Sequence, residues 1–198
     1  ADFGQNGFFY ISYEDPNIGV YGVSYTGVED ADNYDRIYQT DLLGWTGSIG
    51  YNEPMAWFSS VYQTDSENTL RAAGFYATDA DTYYDIYLVR DFEGIEDMDH
   101  RVFLQSGYIK DKGYYTIPLE NPQPLEADQR FAVIVQIYTR DSMHPIAIEY
   151  VSNELTAGAD ISDGESYMSY NGSLWSHMEE ASACNACLKA YTDLTPDQ

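Results

Sequence analysis

The chain has 198 residues, enough for one well-cored domain or for one domain with a fragment attached. Its 33 acidic against 9 basic residues leave a formal charge of −24, a field that repels nucleic acid and anionic membranes and excludes both as partners. No run of about 18 or more apolar residues occurs, so no membrane insertion is expected, and the 20 Tyr, 8 Phe and 3 Trp favour pleated, half-buried surfaces.

In chain order, Gly7-Phe-Phe-Tyr-Ile-Ser-Tyr13 reads as a compact strand, followed by the turn-prone Glu14-Asp-Pro-Asn-Ile-Gly19. Residues 21–44 are polar and rich in Tyr and Asp, and read as an acidic linker. From Trp45 onward short strands recur. Met55–Tyr62 and Thr69–Ala77 are the first two. Thr82–Arg90 alternates, with Tyr84, Ile86 and Leu88 on one face and Tyr83, Asp85, Tyr87 and Val89 on the other. Gly113–Leu119 comes next, then Arg130–Tyr138, apolar enough to be a central strand covered on both sides. Pro145–Val151, Ser166–Tyr170 and Cys187–Thr192 complete the series. A short helix is expected only around Thr64–Asn68 or Asp91–His100, and Asn171-Gly172 predicts a type I′ hairpin. The pattern predicts an all-β fold, a two-sheet antiparallel β-sandwich of the jelly-roll type.

Signatures of catalysis are missing: no Gly-x-Ser-x-Gly elbow, no His-Glu-x-x-His and no phosphate loop. Two acidic loops offer hard oxygen ligands at alternate positions, as Ca²⁺ requires. One is Asp79-Ala-Asp81; the other is Asp160-Ile-Ser-Asp163-Gly-Glu165. A flat apolar ring can stack on a sugar, and Trp175, with Tyr170 beside it, is the expected ligand platform, whereas Trp45 and Trp57 are expected in the core. Cys184 and Cys187 form a Cys-x-x-Cys that precedes a strand. It opens no helix that would lower a thiol pKa, and buried structural thiols are expected.

Two resemblances point the same way. Phe3-Gly-Gln-Asn-Gly-Phe-Phe-Tyr-Ile-Ser-Tyr13 resembles the strand that follows the catalytic Asn in papain-like cysteine proteases, with Phe3 where that family has Trp. The residues from about Asp41 to Thr192 resemble the lectin-like domain found C-terminal to such proteases in clostridial and archaeal surface proteins. Asp41-Leu-Leu-Gly-Trp45, Tyr84-Asp-Ile-Tyr-Leu88, Phe131-Ala-Val-Ile-Val135 and Asn171-Gly-Ser-Leu-Trp175 are among the segments that carry this likeness. The resemblance implies a remnant of the protease domain at 1–20, a linker at 21–44 and a lectin-like sandwich, similar to carbohydrate-binding modules, at 45–198. It implies that the family's catalytic Cys, His and Asn lie upstream of Ala1, so that the chain is not itself an enzyme. It further implies a secreted or cell-surface accessory domain whose partners are the upstream protease domain and cell-wall or host glycans. A structural spacer that orients the protease is the alternative.

Overall fold

The computed structural model describes residues 12, 14–16, 23–28, 30, 32–162 and 164–195. The chain divides into two units, 1–33 and 34–198. In the first, the described residues form turns: Asp15 N donates to Ser12 O at 3.1 Å and Asn33 N to Asp30 O at 3.2 Å. Apart from Ser12, the expected strand at Gly7–Tyr13 lies outside the described residues.

The second unit is built of antiparallel strands. In chain order these are β1 (Arg36–Tyr38), β2 (Gly47–Ile49), β3 (Met55–Gln63), β4 (Asn68–Ala77), β5 (Thr82–Val89), β6 (Val102–Ile109) and β7 (Gly113–Leu125). There follow β8 (Arg130–Thr139), β9 (Ile146–Tyr150), β10 (Ser166–Ser169), β11 (Trp175–His177), the short helix α1 (Met178–Ser182), β12 (Cys184–Ala186) and β13 (Leu188–Leu194). One sheet has the order β1-β13-β4-β7, a second β11-β10-β3-β8-β5-β6, and a third β12-β9-β2. The result is the expected antiparallel β-sandwich.

Alternation along the strands explains the layers. Phe58 of β3, Phe75 of β4, Ile86 and Leu88 of β5, Val133, Val135 and Ile137 of β8 and Leu188 of β13 meet in the main core. Phe75 bridges the two large sheets, its ring centroid 6.4 Å from Phe58 and 5.4 Å from Tyr84. Each such side chain contributes about 1.5–3 kcal/mol by leaving water. Gly107 lies opposite Tyr84 across β6, and any Cβ there would collide with the Tyr84 ring.

Strand β8 is buried on both faces, as its apolar run predicts. Its other face, Ala132 and Ile134, packs in a second core with Trp57, Val61, Val89, Phe92 and Met98. Phe92 and Met98 come from the segment between β5 and β6, where the expected helix is a short 3-10 helix at Ile95–His100. Asp97 holds this turn, its Oδ2 accepting from Glu93 N at 2.8 Å and Gly94 N at 3.1 Å, bonds that lower its pKa. Arg101 lies 4.9 Å from the Trp57 ring centroid and donates to Met98 O at 2.9 Å.

Several expectations change. Residues 36–44, expected as linker, join the sandwich: β1 pairs with β13, with Arg36 opposite Thr192. Asp41 explains the attachment, because its fully buried carboxylate takes a 2.6 Å ion pair from Lys189 Nζ. Leu43 N donates to Glu149 Oε1 at 2.5 Å and Thr46 N to Ile148 O at 2.9 Å, fastening the same segment to β9. Strands β1, β2, β6, β11 and β12 are not apparent in the sequence pattern. Asn171-Gly172 lies in a hairpin, but the loop runs from Ser169 to its partner Trp175 and only Gly172 has positive φ, at 76°. A Cβ on Gly172 would come within 2.8 Å of Trp57.

Cys184 and Cys187 are both buried and unbonded to each other. Burial and the charge of Glu179 push the Cys184 thiol up to about 11; burial and the charge of Asp41 push Cys187 well above the usual thiol range. Thiolate is the reactive form, so alkylation of the native domain by iodoacetamide is expected to be negligible at neutral pH and to reach both residues once the chain is unfolded. Mass spectrometry of labelled native protein checks this, and rapid modification of either cysteine in the folded state would contradict it.

Burial also raises the pKa of Asp41, against the opposing pull of Lys189, and raises that of Glu149, against the hydrogen bond from Leu43, from ordinary values of 3.8 and 4.5. A carboxyl that holds its proton more tightly when folded binds more protons in the native state, so stability falls as pH rises through the raised value. Thermal melts at constant ionic strength are expected to show the midpoint climbing as the pH is lowered from neutrality toward the ordinary carboxylate values. Glu149→Gln is expected to flatten that climb. A wild-type midpoint that drops over this range, or a variant with unchanged slope, would count against the assignment.

Candidate functional site on the open face of the six-stranded sheet

The segment carrying Phe92 and Met98 covers only part of the outer face of the six-stranded sheet. The remainder is formed by the ends of β5, β6 and β8 nearest Thr82, and its side chains follow from register. Tyr83 lies opposite Tyr108 on β6 and Tyr138 on β8, so three tyrosines stand in one line across three strands. Their rings touch, with centroids 5.0 Å apart for Tyr83–Tyr108 and 6.3 Å for Tyr83–Tyr138. All three are exposed, at 53%, 48% and 39% respectively. Singly exposed aromatics are ordinary, whereas a contiguous row marks a contact surface.

The next rank along the strands is polar. Asp85 faces Ser106 on one side and Gln136 on the other. Gln136 Nε2 donates to Met55 Sδ at 3.2 Å, which orients its amide. Tyr83, Tyr84, Asp85, Gln136 and Tyr138 surround a small recess of about 90 Å³. Beyond it Tyr87 pairs with Phe103, centroids 5.6 Å apart, and closes the face against Trp57 at 5.3 Å. The face therefore offers flat rings for stacking, with a carboxylate and an amide beside them for hydroxyl or amine groups.

Tyr108 is fixed at the end of the row by donating its hydroxyl to Asp81 Oδ1. This bond and partial desolvation push the Tyr108 phenol up to about 12, so it remains a neutral donor at physiological pH. Asp81 reaches it from a left-handed turn residue, φ 55°, between β4 and β5.

The residues singled out from sequence lie elsewhere, apart from Asp81. Trp175 is half-buried against the second core rather than exposed, while Tyr170 is 50% exposed and packs edge-on to Tyr51 at 5.6 Å. Trp57 is in the core as expected; Trp45 is only half-buried, with Lys112 Nζ 4.8 Å from its ring centroid. Asp79 Oδ1 accepts from Ala80 N at 2.8 Å, and Asp81 Oδ1 accepts from the Tyr108 hydroxyl. Asp160 Oδ1 accepts from Ser162 N and Oγ at 3.2 and 2.7 Å, Glu165 N donates to Glu179 Oε1 at 3.0 Å, and Asp163 lies outside the described residues. Beside this loop a recess of about 310 Å³ is lined by Ile161, Ser162, Gly164, His177, Glu179 and Glu180. Among the described residues no three His, Cys, Asp or Glu side chains converge as an ion site.

The fold has known counterparts. A family model described as the lectin-like domain matches residues 37–192. Among solved structures, the clostridial cysteine protease Cwp84 after propeptide cleavage is 22% identical with a TM-score of 0.67, over 81% of this chain and 40% of that one. A structure of the cysteine protease and lectin-like domains of Cwp84, a surface layer associated protein of Clostridium difficile, is 22% identical with a TM-score of 0.60, over 72% of this chain and 33% of that one. The chain thus spans well under half the length of these proteins, and their likeness to it is one of fold. No curated protein matches. With most of its length matched by that model and folded as the sandwich described above, the chain belongs to the lectin-like domain family.

Proposed function

We propose that this chain is the noncatalytic accessory domain of a cell-surface cysteine protease, and that it binds glycan through the open face of its six-stranded sheet. The observation that carries the binding role is the exposed line Tyr108–Tyr83–Tyr138 with Asp85 and Gln136 alongside. Adjacent strands are about 4.8 Å apart, so the row repeats on the length scale of a sugar ring and suits a chain lying across the strands. Aromatic rings supply apolar stacking area at low entropy cost, and the neighbouring polar groups supply orientation. The association with a protease at the surface is supported by the likeness to Cwp84, a surface layer associated protein in which a cysteine protease domain and a lectin-like domain share one chain.

Titration calorimetry with cell-wall polysaccharide and defined oligosaccharides tests the reading. Tyr83→Ala and Tyr138→Ala are each expected to weaken binding about tenfold, the effect of losing about 1.4 kcal/mol of contact. Trp175→Ala, a change outside the row, is expected to act on stability and leave the affinity of the folded fraction in place. A folded domain that binds none of these glycans would return the chain to a spacer role.

A further inference from the structure

Resting on the glycan-binding role above, we infer that the face selects sugars carrying a free, protonated amino group, with Asp85 as the residue that reads the ammonium. The recess beside the row has about 90 Å³. Its walls are the Tyr83 and Tyr138 rings, 6.3 Å between centroids and inclined at 52°. The carboxylate of Asp85 and the amide of Gln136 complete the lining. An ammonium placed there lies within cation–π reach of two tyrosines, about 6 Å, and beside an opposite charge.

Asp85 is suited to that task by what it lacks. Its side chain accepts one long hydrogen bond, from the Tyr87 hydroxyl to Oδ2 at 3.4 Å. The ion pairs of the described residues join Arg36 to Asp65, Arg71 to Asp193, His100 to Asp97, Arg101 to Asp99 and Lys189 to Asp41, and leave Asp85 without a cationic partner. Asp85 stands at the middle of the polar rank, flanked by Ser106 and Gln136, which can serve ring hydroxyls on either side. The formal charge of −24 adds a long-range attraction for a cationic glycan and a repulsion for an anionic one. An N-acetyl group in the same position is neutral and bulkier, and forfeits both.

The test compares glucosamine tetramer, its fully N-acetylated form and cellotetraose, titrated into the full chain at about pH 6, where an amine of ordinary pKa is charged. The glucosamine tetramer is expected to bind about tenfold or more tighter than the two neutral chains, a difference of about 1.4 kcal/mol. Asp85→Asn is expected to remove that advantage, so that the cationic and neutral chains bind alike, whereas Tyr83→Ala weakens all three and keeps the preference; melting curves establish that each variant is folded. Neutral and cationic chains binding alike, or a preference that survives Asp85→Asn, would overturn the assignment to Asp85 while the glycan-binding role stands. Tetralysine competing as effectively as the glucosamine tetramer would overturn it too, by showing a site for any ammonium-bearing chain. No binding of any saccharide would bring down the glycan-binding role and this inference together.

Discussion

A strand that is apolar on both faces through its middle requires cover on both sides there, and β8 is such a strand. Val133, Val135 and Ile137 point into the main core, while Ala132 and Ile134 point into the second. The four-stranded sheet supplies one cover. The other is not a sheet but a short segment, Phe92 to Met98, held by Asp97 and by Arg101 against Trp57. A segment that short shields only one end of the outer face. Further along the same strand the residues change accordingly, to Gln136 and Tyr138, which tolerate water. The candidate site exists where the cover stops, and its tyrosines are in line because antiparallel register places direct partners on one face.

A chain of such negative charge also uses its few cations sparingly. Lys189, one of three lysines, is committed to the buried Asp41. A buried pair of this kind adds little net stability, because desolvation offsets most of the attraction, but breaking one side of it is costly. Its effect here is positional. Together with the bond from Leu43 to Glu149, it fixes where the chain enters the sandwich, a location that apolar contacts alone specify weakly.

Legibility in the sequence followed burial. The apolar run of β8 and the alternation of β5 are strong signals because one face or both must avoid water, and β3, β4, β5 and β8 appear close to their expected bounds. Strand β6 was invisible because it is an edge strand with a bulge opposite Ile86 and Tyr87, mostly exposed, and it contains Ser106 and Gly107. Strands β1, β2, β11 and β12 are each three residues long, too short for any period to show. The buried Asp41 escaped notice because its partner is far along the chain. For the site, alternation did place Tyr83, Asp85 and Tyr87 together on one face. With 20 tyrosines in the chain, however, only the register of β6 and β8 could single out Tyr108 and Tyr138 as the neighbours of Tyr83. Trp175 misled because a tryptophan after a turn is easily taken as exposed, whereas its ring is the side wall of the second core.

The passage from Cys184 to Leu194 pairs first with β9 and then, after the single residue Cys187, lies between β1 and β4. During synthesis this is the last of the described strands to leave the ribosome, and two sheets wait for it. Strands β3, β8 and β5 can associate earlier, yet their apolar inner face has no complete partner until this final strand arrives. The domain is therefore obliged to mature after translation of its own C-terminal strand, with its slowest contacts joining the two ends of the sandwich.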